Sequence, residues 1–192
     1  SNKLSSQFPL GQLRFDENHQ DPPSRAYLKL WEVFTRMNIL PQPGERCMDL
    51  GASPGGWTWV LANLNCRVIA VDRTPLNDKL MKHDLVEFTE ASAFAMQPGE
   101  VGPVDWIFSD VICYPQKLLT FVRRWIESQM CSNFICTLKF QGADNYEVIK
   151  EFLEIPNSHI LHLTHNKHEL TWVRLSDDYA GIKIDGCTHC II

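Results

Sequence analysis

The chain has 192 residues, enough for one domain with a sizeable core at about 150 residues per domain. Hydrophobic residues make up 44% and charged residues 21%, which excludes a disordered chain, a collagen-like fibre and a disulfide-dense miniprotein. The net charge of −5 excludes nucleic-acid binding by bulk positive charge, so any such contact has to be local.

Residues 1–21 read as a polar N-terminal extension and 22–192 as a single domain. Ser24 is a plausible N-cap for a helix running to about Met37, because Tyr27, Leu30, Trp31 and Phe34 fall at helical spacing. Pro41, Pro43 and Gly44 break that pattern. Arg46–Leu50 reads as a buried strand, Gly51–Gly56 as a small-residue loop and Trp57–Leu64 as a helix. Arg67–Val71 is a second strand ending at Asp72. A short helix is expected near Leu76–Lys82 and a strand near Val86–Thr89. Val104–Ser109 is a strand ending at Asp110, Gln116–Met130 a helix, and Asn133–Leu138 a strand ending at Lys139. Asp144 can cap a helix to about Leu153. Strands at His159–Thr164 and Leu170–Leu175 are joined closely enough to pair antiparallel.

Strands alternating with helices predict an α/β fold with a mostly parallel sheet. Such sheets bind ligands beyond the C-terminal ends of their strands. Asp49–Gly56, Asp72, Asp110 and Lys139 all fall at such ends. No apolar run reaches the roughly 18 residues of a membrane span, and no signal peptide is visible. The seven cysteines lie mostly in apolar runs and suggest no disulfide framework. These features predict a cytoplasmic protein with no membrane partner. Ser1 in place of an initiator Met fits a chain trimmed at its N-terminus.

Asp49-Leu50-Gly51-Ala52-Ser53-Pro54-Gly55-Gly56-Trp57 joins a predicted strand to a predicted helix. Glycines there let backbone approach a ligand closely, and Asp72 at the next strand end can hold a ribose diol. The frame of a dinucleotide fingerprint is occupied by Gly51, Ser53 and Gly56, so its middle glycine is missing. Pro54 does not suit a pyrophosphate cradle. The loop suits a ligand without phosphates, namely S-adenosylmethionine. The plainer reading is a strand–helix turn that uses glycine for geometry alone.

These residues resemble the S-adenosylmethionine loop of FtsJ/RrmJ-type ribose 2′-O-methyltransferases. Four further stretches resemble that family's motifs in order: Pro23–Leu30 with Lys29, Ser109-Asp110, Thr137-Leu138-Lys139, and His168–Thr171 with Glu169. The resemblance covers about residues 22–175. It is closest to the RlmM-like branch, which methylates a cytidine ribose of bacterial 23S rRNA. It implies a Rossmann-like seven-stranded methyltransferase sheet with helices on both faces and an antiparallel C-terminal strand pair. It implies a catalytic tetrad of Lys29, Asp110, Lys139 and Glu169, with Lys139 as the base and Lys29 tuning it or placing the substrate. Asp110 and Glu169 would orient the two amines.

The cofactor would lie against Asp49, Gly51, Ala52, Ser53, Pro54, Gly55, Gly56, Trp57, Asp72, Ser92 and Asp110. Many relatives have an acidic residue near position 92, where this chain has Ser92. The partner implied is RNA, ribosomal in the first instance. The branch carries an N-terminal RNA-binding region with a THUMP domain, and nothing in this sequence resembles it. Recognition is therefore expected to draw on a missing domain, a partner or a subset of basic residues. Two other readings share these motifs: a non-catalytic S-adenosylmethionine-binding module of a larger RNA-processing assembly, and an mRNA cap ribose 2′-O-methyltransferase.

Taken singly, the tetrad residues also have plain readings. Lys29 lies opposite its helix's apolar stripe, where a lysine is usually solvated. Lys139 and Asp110 could be ordinary strand-end charges, and Glu169 one side of a hairpin salt bridge. Trp57 and Trp59 read as packing residues, Arg123 and Arg124 as a solvated helix face, and Arg25 as a phosphate candidate. His159, His162, His165 and His168 recur at every third position. Strand alternation would split them between faces, so no metal site is expected. Cys187-Thr188-His189-Cys190 is half of a zinc knuckle without its partner half.

Overall fold

Strands of alternating inward-facing residues form a seven-stranded sheet with helices on both faces. The computed structural model describes residues 15–140, 146–166 and 168–177. The strands are β1 (Arg46–Leu50), β2 (Arg67–Asp72), β3 (Val86–Glu90), β4 (Trp106–Ser109), β5 (Asn133–Lys139), β6 (Ser158–Leu161) and β7 (Glu169–Arg174). The helices are α1 (Tyr27–Met37), α2 (Gly56–Asn63), α3 (Asp78–Met81), α4 (Pro98–Val101), α5 (Pro115–Glu127) and α6 (Tyr146–Leu153).

The strand order is β3-β2-β1-β4-β5-β7-β6. β1 to β5 pair in parallel, β7 runs antiparallel to β5, and β6 antiparallel to β7. The expected mostly parallel sheet with an antiparallel C-terminal pair is thus present. The chain winds outward in both directions from β1 and β4, and a crevice opens where that order reverses.

Side-chain alternation with period two divides the core. Cys47, Val68, Trp106, Phe108, Ile135 and Val173 face α1 and α2. Met48, Leu50, Ile107, Phe134, Cys136 and Trp172 face α5 and α6. Burying these faces is the main favourable term in such a fold. Cys47, Cys66, Cys131 and Cys136 are buried without disulfides, as small apolar side chains, and burial pushes the Cys47, Cys131 and Cys136 thiols above the usual range.

Several boundaries differ from the sequence reading. α1 starts at Tyr27 after Ala26, with no side-chain cap, so Ser24 is not its N-cap. β4 begins at Trp106, since the Val104 and Asp105 amides bond to Met130 O and Arg46 O rather than in the ladder. α5 ends at Glu127, short of Met130, and Gln129 turns the chain with φ of 59°. β6 stops at Leu161 rather than Thr164 because the following residues turn toward α1. The expected cap at Asp144 and the Cys187–Cys190 segment lie outside the described residues. Among the described residues, no helix is long and apolar enough to cross a membrane, and no group of three or more histidine, cysteine or acidic side chains could hold a metal.

Candidate active site

Four charged side chains from four elements meet above the ends of β4 and β5. Lys29 Nζ donates to Glu169 Oε2 at 2.7 Å and to both Asp110 oxygens at 3.2 and 3.3 Å. Lys139 Nζ donates to the Asp110 backbone carbonyl at 2.5 Å and lies 3.2 Å from Asp110 Oδ1. Glu169 Oε1 is farther from Lys139, at 4.0 Å. Each position follows from the fold. Lys29 projects from the first turn of α1, Asp110 follows β4, and Lys139 and Glu169 are register partners across β5 and β7.

The side chains are only 15–21% exposed. The solvated reading of Lys29 is therefore corrected: the polar face of α1 lies against the β6–β7 turn and the ends of β4 and β5, not against water. Burial opposes the Lys29 charge, but the Asp110 and Glu169 carboxylates outweigh it and raise its pKa above 10.5. Lys29 is accordingly an ammonium across the physiological range. Two of the three hydrogen-bonding directions of Lys139 Nζ are directed at Asp110, which leaves one toward the cleft.

Two adjoining cavities of about 410 and 450 Å³ lie beside this cluster. They share Gly51, Asp72, Val111 and Ile112. The second is also lined by Asp49, Ala52, Ser53, Pro54, Gly56, Trp57, Asp110 and Lys139. The first continues past Ser92, between Phe94 and Cys113. Every proposed cofactor position except Gly55 therefore lines this cleft. Gly55 works from behind: its φ of 118° turns the loop into α2, and a Cβ there would fall 2.2 Å from Leu80 Cδ1. Gly51, with φ of 72°, passes so close to Val111 that an added Cβ would lie 3.0 Å away.

Asp72 Oδ2 accepts from the Ser53 amide at 3.0 Å and Oδ1 from the Thr74 amide at 2.9 Å. A carboxylate has about four acceptor sites, so two remain for a diol. Asp49 is fully buried and accepts from Thr58 Oγ1 at 2.7 Å. Burial first, then the charges of Asp110 and Asp72, push its pKa up to about 7 despite the Thr58 bond. A polar floor, a slot between apolar walls and a carboxylate for a diol are what an adenosyl cation with an amino-acid tail requires. The donor set fits S-adenosylmethionine.

Other readings sort themselves. Trp57 is buried, with its indole N–H on Ala26 O at 2.8 Å, and Trp59 packs edge-on against Tyr27, both as packing residues. Arg123 pairs with Glu151 on the surface. Arg124, expected on a solvated face, instead tucks its guanidinium against Phe121 and donates to the Phe94 and Met96 carbonyls, supporting one wall of the cleft. Arg25 pairs with Glu17 at 2.6 Å. Sequence reasoning missed the cleft wall of Val111 to Tyr114 and the buried Glu32. The signal for the wall was its position directly after the β4 end.

The crevice at the reversal of strand order, with charged residues at strand ends, defines a Rossmann-like methyltransferase fold. The FtsJ-like methyltransferase family matches residues 22–162, and the chain belongs to it. Curated relatives include the ribosomal RNA large subunit methyltransferase M of Thauera aminoaromatica, 32% identical over 86% of this chain and 49% of the relative. That of Azoarcus sp. strain BH72 is 35% identical over 77% and 42% respectively. The chain thus spans about half the length of these relatives. Among solved structures, a protein from Plasmodium falciparum assigned as a ribosomal RNA methyltransferase superposes with a TM-score of 0.60 at 18% identity. That match covers 80% of this chain and 97% of the other.

Proposed function

We propose that this chain is an S-adenosylmethionine-dependent methyltransferase that methylates a ribose 2′-hydroxyl of RNA, and that the RNA is large-subunit ribosomal RNA, met in the cytoplasm. The observation that carries the chemistry is the convergence of Lys29, Asp110, Lys139 and Glu169 in one cluster, of which Asp110 and Lys139 line the cleft. The ribosomal substrate is supported by the names of the relatives.

When bound, S-adenosylmethionine supplies a methyl group on a sulfonium, which leaves as a neutral thioether when the C–S bond breaks. Asp72 would accept the ribose diol of the cofactor, Ser92 and its neighbours would flank the adenine, and Asp49 with residues 51–57 would surround the methionine end. The chain's task is then to strip and aim the 2′-hydroxyl. Lys29, held as an ammonium by two carboxylates, cannot take a proton. As the neutral amine, Lys139 directs its lone pair at the cleft, takes the hydroxyl proton as the new O–C bond forms and becomes the ammonium. Asp110 fixes both amines at once, and Glu169 fixes Lys29, so the base is held within reach of an in-line attack.

The test is incubation with methyl-labelled S-adenosylmethionine and bulk ribosomal RNA, followed by digestion to nucleosides, for wild type and Lys139→Ala. Label on a 2′-O-methyl nucleoside that disappears in the variant supports the reading. Label on a base, or equal labelling in the variant, overturns it.

A further inference from the structure

The tetrad leaves unexplained a carboxylate with no exposure at all. Glu32 sits on α1 among buried apolar residues, at 0% exposure. A buried charge is costly unless it is well paired, and an apolar side chain would fill this position at less cost. Glu32 is fully paired, and its partners other than Arg36 lie on one segment. Oε1 accepts from the Thr164 amide at 2.8 Å and Oε2 from the His165 amide at 3.1 Å. The His165 ring Nδ1 lies 2.6 Å from Oε2, and Arg36 Nε donates from the next turn of α1 at 2.8 Å. Burial disfavours the carboxylate, but these donors outweigh it and hold its pKa below 4.5, so it is charged at neutral pH.

The segment it grips is the turn between β6 and β7. Lys29 and Glu32 lie one helical turn apart and share a face of α1. Glu169, the partner of Lys29, opens β7 immediately beyond that turn. Helix and turn are therefore stitched twice: once beside the cleft by Lys29 and Glu169, and once in the interior by Glu32. Two further contacts tie the turn to the sheet. Leu163 is fully buried, and the Asn166 amide group donates to Thr171 Oγ1 on β7 at 3.1 Å.

We propose that Glu32 is a positioning residue, whose carboxylate clamps the β6–β7 turn onto α1 and so holds Glu169 within hydrogen-bond reach of Lys29. This rests on the tetrad reading above. Glu32 does not border the cleft and touches no reacting atom. It acts through the turn.

Glu32→Gln tests this with two readouts that a merely structural role would not move together. The variant keeps the shape, but presents an N–H₂ where two donors now converge. Cofactor affinity should stay at the wild-type value, and kcat for methyl transfer should fall by roughly 10–100-fold, the scale of a misplacement of about 1 Å. In ¹³C-lysine NMR of the protein without substrate, the Lys29 titration should move down toward 10.5 as Glu169 drifts away. Wild-type kcat and an unmoved Lys29 titration, with only a lower melting temperature, would overturn the clamp. If wild type transfers no methyl to RNA, the functional reading fails, and the Lys29 titration still decides the clamp alone. Should Glu32→Gln not fold, Glu32→Asp keeps the charge but withdraws it by one methylene, and is judged on the same two readouts.

Discussion

Asp110 Oδ1 lies 3.2 Å from the Nζ atoms of both Lys29 and Lys139. One oxygen thus sets the spacing of two amines that would otherwise repel each other. Asp110→Asn would leave Lys29 with Glu169 alone, and Lys139 with little but the residue 110 carbonyl. Removing one partner of a buried pair costs about 3–5 kcal/mol, and partial solvent access at this site brings the expected loss to roughly 1–3 kcal/mol. Urea denaturation reads that loss. Methyl transfer should fall by about 100-fold or more, since both amines lose their orientation. Retention of near-wild-type transfer would remove Asp110 from the site.

Lys29 predicts a pH dependence of stability with a definite sign. Its folded pKa is raised above the unfolded value of 10.5. The stabilisation is therefore fully present below pH 10.5 and is lost as pH climbs through the folded pKa. Between pH 9 and pH 12, wild type should lose more unfolding free energy than Lys29→Met, whose curve lacks this component. Denaturation series at fixed ionic strength compare the two. Parallel curves would show that the carboxylates do not hold the Lys29 proton.

Why the sequence revealed as much as it did is instructive at particular residues. β2 and β4 carry continuous apolar runs, and β1 one broken only by Asp49, because both their faces are covered, so period and length identified them. The glycine loop was legible because its chemistry is local to one strand–helix turn. Lys29 was misjudged by periodicity alone, since a helix wheel shows which face is polar and not what covers it. Here the β6–β7 turn covers it, and that contact joins residues over a hundred positions apart. Glu32 was invisible for the same reason: beside Arg36, its partners lie at 164 and 165, and two of them are backbone amides, which carry no side-chain signature. Only the ordered resemblance placed Lys29 with Asp110 and Glu169.

Asp49 predicts a pH trend of the same sign in an easier range. Its pKa is about 7 in the folded protein against 3.8 in the reference state. The folded chain then holds this proton more tightly, so the contribution is full below pH 3.8 and is lost as pH rises to about 7. Asp49→Asn should match wild type at pH 4 and exceed it in stability at pH 8. A cationic ligand in the adjoining cavity favours the ionised carboxyl, so wild-type affinity for S-adenosylmethionine should rise through pH 7, with proton release on binding. Titration calorimetry in two buffers of different ionisation enthalpy measures that release. Affinity flat from pH 6 to 8 would place the Asp49 charge out of contact with the ligand.

Three glycine substitutions separate backbone strain from collision. Gly55 has φ of 118°, and its added Cβ would lie 2.2 Å from Leu80 Cδ1. Leu80 is itself buried against Ala52, Ala70 and Leu76, so it has little room to yield. Gly44 has φ of 87° but nothing within 4 Å. Gly99, in α4, has neither a positive φ nor a neighbour. Gly44→Ala should cost about 1 kcal/mol from strain alone. Gly55→Ala should cost roughly 2–4 kcal/mol, adding collision to strain. Gly99→Ala should be neutral or stabilise by up to about 1 kcal/mol through helix propensity. Gly55→Ala alone should also weaken S-adenosylmethionine binding, because Ala52 to Pro54 would tilt with the loop while the other two sites lie away from the cleft. Equal melting temperatures for Gly44→Ala and Gly55→Ala would show that Leu80 moves aside freely and that the loop's fit to α3 does not set its position.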